Sequence, residues 1–503
     1  MILECNSRAE DRQLVQAVVA IISALLLAGC GHSTSNGDPS TANAAPKPWE
    51  PVQVNEEYVP TPQAIASEIV KFDIAVLRPP TNKRLLLMLP NGQSTVVVIA
   101  KFEESSPSRF VWRGSIENET GSDVRFAVVN DTLVGEIVSA RGRLYTVRTI
   151  KTGLAVIEEL DPLKFPREEG PDRPDLRDES SANSDRQAEN GSSNGSQQAR
   201  RRSFLPHSLA EVPGRSNLIA NPQLVQAPPV QEGPQYILRE TKQVTDESDT
   251  EVDVLVLYTA GALNYLNVPD GVDAKLLLII SDANNSYSES GINLHINSVH
   301  VEQTDYQESG DLYLDWKALK RKGNGTADGP QFGDLKSKRL SYGADIVALL
   351  TSAVSASNAN SCGQAGQMHD VVPETCAEAY AVIPSNCAAT QYSFIHELGH
   401  VMGADHNENE DQPTNSPPFD HSRGYIAQSN SWRTIMALPK DACSLPECQR
   451  IRRWSNPALT FGETPIAAES PPLIEATGIP STNNALALND TRSAVAAFSD
   501  TCK

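Results

Sequence analysis

One short stretch, FIHELGHVMGADH (394–406), constrains the chain more than any other, because it holds three of the nine histidines. Its apolar residues repeat at helical spacing, which predicts a helix. Each helical residue advances by about 100°, so His396 and His400 lie one turn apart on the same face. Gly403 allows a sharp turn after the helix, and this turn brings His406 back toward the two other imidazoles.

Three converging imidazoles predict a catalytic Zn2+ site. Three neutral nitrogen ligands and one open position are typical of catalytic zinc, whereas structural zinc is closed by a fourth protein ligand. Glu397 follows the first histidine, so its carboxylate lies beside the metal, where it can act as general base. We therefore expect His396, His400 and His406 as ligands and Glu397 as the catalytic residue. Ordinary solvated or capping side chains are the disfavoured alternative, since HExxHxxGxxH fixes many positions at once.

The extended motif resembles that of the metzincin zinc peptidases. WRTIMA (432–437) resembles the Met-turn of that family, which implies that Met436 lies under the metal. RIRRWSNPALTFG, GADIVALL, CGQAG and NCAATQYSFIHELGH are similar to the reprolysin-like bacterial branch, including the peptidyl-Asp metalloendopeptidases. The resemblance covers residues 250 to 503. It implies a zincin-like fold, one catalytic Zn2+ and hydrolysis of peptide bonds in a protein or peptide substrate.

The chain departs from the family pattern at three places. Asn407 follows His406 where many relatives carry aspartate, and Leu438 occupies the position of a tyrosine that assists catalysis in some metzincins. No cysteine lies between Cys30 and Cys362, so a propeptide thiol cannot cap the metal. Latency would need another group, or occlusion by the preceding part of the chain.

Two other function classes remain open at this point. A non-catalytic zinc-containing surface lipoprotein could use the same fold for binding or adhesion, but the intact Glu397 disfavours it. A zinc amidase acting on cell-wall substrates is the second alternative, because a fold alone does not fix the substrate. Arg452 and Arg453 could attract an acidic substrate side chain, although solvated surface positions are the favoured interpretation.

The N-terminus predicts export. An apolar run (14–27) is too short for a comfortable transmembrane helix and is followed by LAGC (27–30), which resembles the bacterial lipobox. We expect a lipoprotein-type signal peptide over residues 1–29 and lipidation of Cys30. The protein would then reside in the bacterial cell envelope, at the outer membrane or cell surface, or outside the cell. An uncleaved anchor helix is the alternative.

Cysteine usage agrees with export. Apart from Cys5 and Cys30, all cysteines lie in the C-terminal third, which is typical of a disulfide set in an oxidising compartment. Many pairings are possible. Our preferred pairs are Cys362 with Cys387 and Cys443 with Cys448.

Composition divides the chain into a tether (30–47), a β-rich propeptide-like domain (48–166), a disordered linker (167–245) and the peptidase domain (246–503). Short alternating apolar bursts separated by turn signals predict the all-β N-terminal domain, with its charged residues on solvated strand faces. The linker is charged and almost free of large apolar residues, so it cannot offset the entropy of folding. Its three consecutive arginines, Arg200–Arg202, are either a proteolytic processing site or a solvated charge cluster.

In the C-terminal part, strands alternate with helices, which predicts an α/β layered domain behind the smaller all-β one. The expected strands cover residues 252–258, 292–301, 343–350 and 379–384. A strand within 355–385 should bind substrate by strand addition. The net charge of −21 argues against nucleic acid or anionic lipid as a partner. We expect contact with membrane only through a lipid on Cys30, and we expect a monomer.

Overall fold

The computed structural model describes residues 45–78, 83–166 and, with gaps, 249–502. The gaps fall at 267, 269, 328–330, 360, 409–417, 440–442, 444–447 and 463–473. Cys30, the signal peptide, most of the tether, and the linker with Arg200–Arg202 lie outside the described residues. Pro46–Lys503 form one compact unit. Within the described ranges, no helix combines the length and the apolar content needed to cross a bilayer.

The first half of the compact unit is a nine-stranded antiparallel sheet in the order β1-β2-β9-β8-β7-β6-β5-β4-β3. This confirms the predicted all-β N-terminal region. A short helix, α1 (Ile74–Leu77), and 3-10 turns at Pro90–Gly92 and Pro162–Lys164 join its strands. The strands are β1 (Trp49–Pro51), β2 (Ala64–Phe72), β3 (Arg84–Leu89), β4 (Gln93–Ser106), β5 (Arg109–Ile116), β6 (Asp123–Val129), β7 (Thr132–Val138), β8 (Leu144–Lys151) and β9 (Leu154–Leu160).

Strand β6 shows that this sheet is buried on both faces. Because side chains alternate along a strand, Val124 and Phe126 point into the sheet's own core, where Phe126 packs edge-on against Trp49. Arg125 and Ala127 point the other way and are fully buried against the second half of the chain. The expectation that charged residues of this region lie on solvated faces is therefore wrong for Arg125, which is paired across an internal interface, and for Arg113 and Glu136, which are buried as well.

The second half is built on a five-stranded sheet in the order β11-β10-β12-β14-β13. Four strands are parallel, and the edge strand β13 runs antiparallel to β14. The four strands expected from the sequence are present, with ends displaced by a few residues. The bounds are β10 (Thr250–Tyr258), β11 (Leu294–Gln303), β12 (Ile346–Thr351), β13 (Gln364–Ala365) and β14 (Tyr380–Pro384).

Helices connect and cover these strands. A 3-10 turn at Pro373–Glu378 precedes β14, and two small two-stranded sheets follow the metal-site region. The helices are α2 (Ala260–Tyr265), α3 (Gly271–Glu289), α4 (Leu312–Gly323), α5 (Leu335–Tyr342), α6 (Ser393–Val401), α7 (Asn484–Val495) and α8 (Phe498–Thr501). The small sheets pair β15 (Trp432–Arg433) with β16 (Gln449–Arg450), and β17 (Thr460–Phe461) with β18 (Glu475–Ala476).

Alternation along β10 separates two apolar layers. Val254 and Val256 belong to a core that includes residues of α3 and α6, whereas Leu255 and Leu257 belong to a second core with Leu319 of α4. Both faces of the sheet are therefore covered, as parallel strands require. This arrangement places α6 directly against the sheet, on the side that faces α3.

Helix α3 lies between the two sheets. Its apolar side chains share one core with Ala127 and Val129 of β6. Charged side chains cross the same interface: Arg113 lies 2.6 Å from Asp282, measured from Nη1 to Oδ1, and Lys275 Nζ lies 3.1 Å from Glu136 Oε1. All four groups are buried. The two halves of the unit are thus held by buried ion pairs as well as by apolar contact.

Three disulfides staple the second half. Cys362–Cys387 and Cys443–Cys448 are the two pairs preferred from the sequence. The third bond, Cys376–Cys502, joins the turn before β14 to the residue after α8, across a sequence separation of 126.

Candidate metal centre

Helix α6 carries the motif. Phe394, Ile395 and Leu398 are buried in the core, so the apolar stripe fixes which face of the helix points away from the sheet. The helix ends at Val401 and is capped by Met402, and Gly403 follows with φ +89°. A Cβ at Gly403 would also lie 2.8 Å from Val371 Cγ2. Both the left-handed backbone and the close approach therefore demand glycine at this turn.

The turn brings three imidazoles together. The Nε2 atoms of His396 and His400 are 3.2 Å apart, those of His396 and His406 are 3.2 Å apart, and those of His400 and His406 are 3.1 Å apart. All three rings are buried. Two nitrogens bound tetrahedrally to one zinc ion, each about 2.0–2.1 Å from it, are separated by about 3.3 Å. The donor set and its spacing therefore fit a zinc ion.

The first imidazole is oriented by the segment that carries Met436. Nδ1 of His396 lies 2.9 Å from the carbonyl oxygen of Ile435, which can accept its proton and so leaves the Nε2 lone pair facing the centre. The neighbouring Met436 is fully buried. A Cβ at Gly399 of α6 would lie 2.9 Å from Met436 Sδ, so Met436 packs directly against the helix that carries the histidines.

The loop that carries His406 is held by two polar side chains that sequence reasoning did not single out. Asp405 Oδ1 accepts hydrogen bonds from the His406 backbone N–H (2.7 Å) and from Gln367 Nε2 (2.8 Å). Asn484 of α7 donates to the Asp405 carbonyl oxygen (3.2 Å). Asn407 Oδ1 accepts from the Leu438 N–H (2.7 Å), which ties this loop to the segment after Met436.

Glu397 is fully buried beside the three imidazoles, and its carboxylate rests against Gly363. A Cβ at Gly363 would lie 2.1 Å from Glu397 Oε1 and 2.5 Å from its Cδ. Only a residue without a side chain leaves room for this carboxylate. Gly363 lies within CGQAG, a stretch quoted in the sequence for its resemblance alone, so its role was missed.

Gly363 is followed immediately by the edge strand β13, which pairs Gln364 with Val382 and Ala365 with Ala381 of β14. The preceding residue is Cys362, whose disulfide partner Cys387 comes shortly before α6. The edge of the sheet, the disulfide and the carboxylate of Glu397 thus meet at one point.

Comparisons with known proteins agree with this geometry. Residues 248–455 match the family model described as metallo-peptidase family M12. A Xanthomonas campestris protein named peptidyl-Asp metalloendopeptidase is 24% identical, over 93% of this chain and 92% of its own length. A protein of the same name from Stenotrophomonas maltophilia is 28% identical over 51% of this chain and 54% of its own length. Another from Pseudomonas aeruginosa is 29% identical over 37% of this chain and 32% of its own length.

This chain is a metalloendopeptidase. The M12 match implies a zincin-like catalytic domain, and peptidases of this family depend on zinc. The metalloendopeptidase acts on protein or peptide substrates. Its triad of histidines on and after α6 is the group of side chains, among the described residues, that could hold the metal.

The interpretation of Arg452 as a solvated surface residue is wrong, because its side chain is largely buried among ion pairs. Its Nη1 is 3.0 Å from Glu289 Oε2 and its Nε is 3.6 Å from Asp123 Oδ2, while Arg453 also pairs with Glu289. Burial raises the pKa of Asp123, but the charges of Arg452, Arg125 and Arg113 outweigh it and hold that pKa well below its usual range. Arg452 therefore belongs to an internal charge network rather than to a solvated surface.

Proposed function

We propose that the metalloendopeptidase uses one zinc ion held by His396, His400 and His406, with Glu397 as general base. The observation that carries the proposal is the mutual approach of three Nε2 atoms within 3.2 Å, two of them on the helix that also presents Glu397. The support of His396 by the Ile435 carbonyl is typical of metal-ligating histidines, whose second ring nitrogen usually donates to a fixed acceptor.

The role of each residue in the proposed mechanism follows from its position in the site. His396, His400 and His406 would hold the zinc ion, which would supply a bound water with a pKa lowered toward about 7 and polarise a substrate carbonyl. Glu397 takes the proton from the attacking water and delivers it to the nitrogen of the leaving amine. Gly363 keeps the Glu397 carboxylate in its place, and burial of the site strengthens each electrostatic interaction within it.

Substrate binding is assigned to the edge strand β13. An extended peptide can add to this edge and form main-chain hydrogen bonds, which give affinity with little demand on sequence. The register puts Gln364 and Ala365 next to Gly363 and therefore next to Glu397, so a peptide on this edge runs past the general base. The relatives named peptidyl-Asp metalloendopeptidase support a preference for aspartate at the cleaved bond.

The test is cleavage of casein and of a peptide library by the purified full chain, with and without chelator, beside Glu397→Gln. Glu397→Gln should retain zinc and lose cleavage by about 100-fold or more, because only the base is removed. Glu374→Gln, an exposed glutamate, is the matched control. Cleavage that survived both the chelator and Glu397→Gln would exclude the zinc mechanism.

We also propose that the enzyme is exported and anchored through a lipid on Cys30. The three disulfides of the second half support an oxidising compartment. In cells fed labelled palmitate, the full chain should carry label and sediment with membranes, whereas Cys30→Ser should lose the label. Label retained by Cys30→Ser would contradict the anchor.

A further inference from the structure

The residue before α6 has an unusual backbone. Tyr392 has φ 54° and ψ 24°, a left-handed conformation that a bulky residue adopts only when its surroundings hold it there. Its carbonyl oxygen accepts the first hydrogen bond of the helix from the backbone N–H of His396 (3.0 Å). The placement of Tyr392 therefore sets the placement of His396.

Side chains of the N-terminal sheet hold Tyr392. Its hydroxyl donates to Asp123 Oδ2 (2.9 Å), and the guanidinium carbon of Arg125 lies 4.4 Å from the centre of its ring. Arg125 Nη2 also donates to the carbonyl oxygen of Ala389, just before Tyr392 (3.1 Å). Burial raises the pKa of Tyr392, which keeps its hydroxyl protonated and able to donate. Asp123 and Arg125 of β6 thus hold the segment that leads into α6.

Ion pairs fix the positions of Arg125 and Asp123. Arg125 is fully buried and lies 2.9 Å from Asp123 and 3.5 Å from Asp282 of α3, measured between its nitrogens and their carboxylate oxygens. Asp123 in turn faces Arg452. Buried charges of this kind have few alternative arrangements, because any movement leaves one of them without its partner. The network can therefore impose a position on Tyr392 rather than follow it.

We propose that Asp123 and Arg125 are positioning residues for the metal centre, acting through Tyr392 on His396. The N-terminal sheet then belongs to the working enzyme, since it completes the support of the helix that carries two of the three ligands. The proposal rests on the proposed zinc site, and it assigns no contact with the metal to either residue.

A matched control variant distinguishes positioning of Tyr392 from a general contribution to the stability of the interface. Arg113 makes an equally buried ion pair across the same interface with Asp282, which Arg125 also approaches (3.5 Å), and it donates to Ser281 of α3. Arg125 differs in that it also contacts the segment before α6. Arg113→Gln should weaken the interface without releasing Tyr392. Arg125→Gln should weaken it and release Tyr392 as well.

The experiment measures zinc affinity of the full chain by competition with a chromogenic chelator, alongside thermal unfolding. Arg125→Gln and Tyr392→Phe should weaken zinc binding by about 10-fold, the effect typical of losing an outer support of a ligand. Arg113→Gln should lower the unfolding temperature yet leave zinc affinity within about twofold. Tyr392→Phe keeps the ring and loses only the hydroxyl, so it decides the outcome even where Arg125→Gln does not fold.

Unchanged zinc affinity in Tyr392→Phe would overturn the proposal, as would equal losses of affinity in Arg113→Gln and Arg125→Gln. Failure of the proposed function is a different result, because the unaltered chain would then bind no zinc.

Discussion

Gly363 offers a sharp test of how the general base is held. In Gly363→Ala the new Cβ would lie 2.1 Å from Glu397 Oε1, whereas ordinary contact begins at 3.4 Å. The carboxylate must therefore retreat by about 1 Å or more. Gly363 does not have a positive φ, so alanine adds no backbone strain there, and the effect falls on Glu397 alone.

The expected cost can be stated as a rate. A displacement of about 1 Å at a reacting group lowers the rate by about 100-fold, which corresponds to about 2.7 kcal/mol in the activation free energy. We therefore expect kcat/KM of Gly363→Ala on a library-derived peptide to fall by about 100-fold. The three histidines lie elsewhere on the helix and loop, so zinc content should remain that of the unaltered enzyme.

Gly343→Ala is the matched control. A Cβ at Gly343 meets no atom within 4 Å, but φ is +64°, so the substitution should cost about 1–2 kcal/mol of stability and no activity. Activity of Gly363→Ala within a few-fold of the unaltered enzyme would refute the argument that this glycine makes room for the base. Loss of zinc together with activity would also refute it, because the damage would then extend beyond the carboxylate.

Three further predictions concern the supports of the site. Replacing Cys376 and Cys502 by serine opens a loop of 126 residues, which should lower the free energy of unfolding in urea by about 5 kcal/mol; an unchanged midpoint would contradict this. Because the folded-state pKa of Asp123 lies below the unfolded value of about 3.9, its ion pairs stabilise the protein above that pH and are lost as the pH falls. Asp123→Asn should thus flatten the acid limb of a stability-against-pH curve, and an unaltered limb would exclude this role. Asp405→Ala frees the His406 backbone and should weaken zinc binding about 10-fold by chelator competition, whereas an unchanged affinity would show that the loop is held without it.

The histidine arrangement was predictable from the sequence because its geometry is local. His396 and His400 are separated by one helical turn, and Gly403 supplies the one backbone conformation that returns His406 to them. Whatever the rest of the chain does, a helix with this spacing aligns the first two rings. The assignment of these residues to zinc remains a prediction until the metal is measured.

The supports of the site could not be read from the sequence, because each joins distant segments. Gly363 meets Glu397 only after β13 pairs with β14, and Arg125 meets Tyr392 only after the first sheet packs on α3. The same reasoning explains the mistaken assignment of solvated faces to the first sheet. Alternation shows that Arg125 points away from the sheet core, but it does not show that another part of the chain packs against that side.

Helix α3 has a consequence for the order in which the protein folds. All of its residues except Asn284, Ser288 and Glu289 are buried, so it has almost no face suited to water. Its apolar side needs the second sheet, while Lys275 and Asp282 need Glu136 and Arg113 of the first sheet. During synthesis the first sheet precedes α3 in the chain, so it can provide a surface on which the helix packs. If the second half were made alone, Lys275 and Asp282 would lack their partners Glu136 and Arg113.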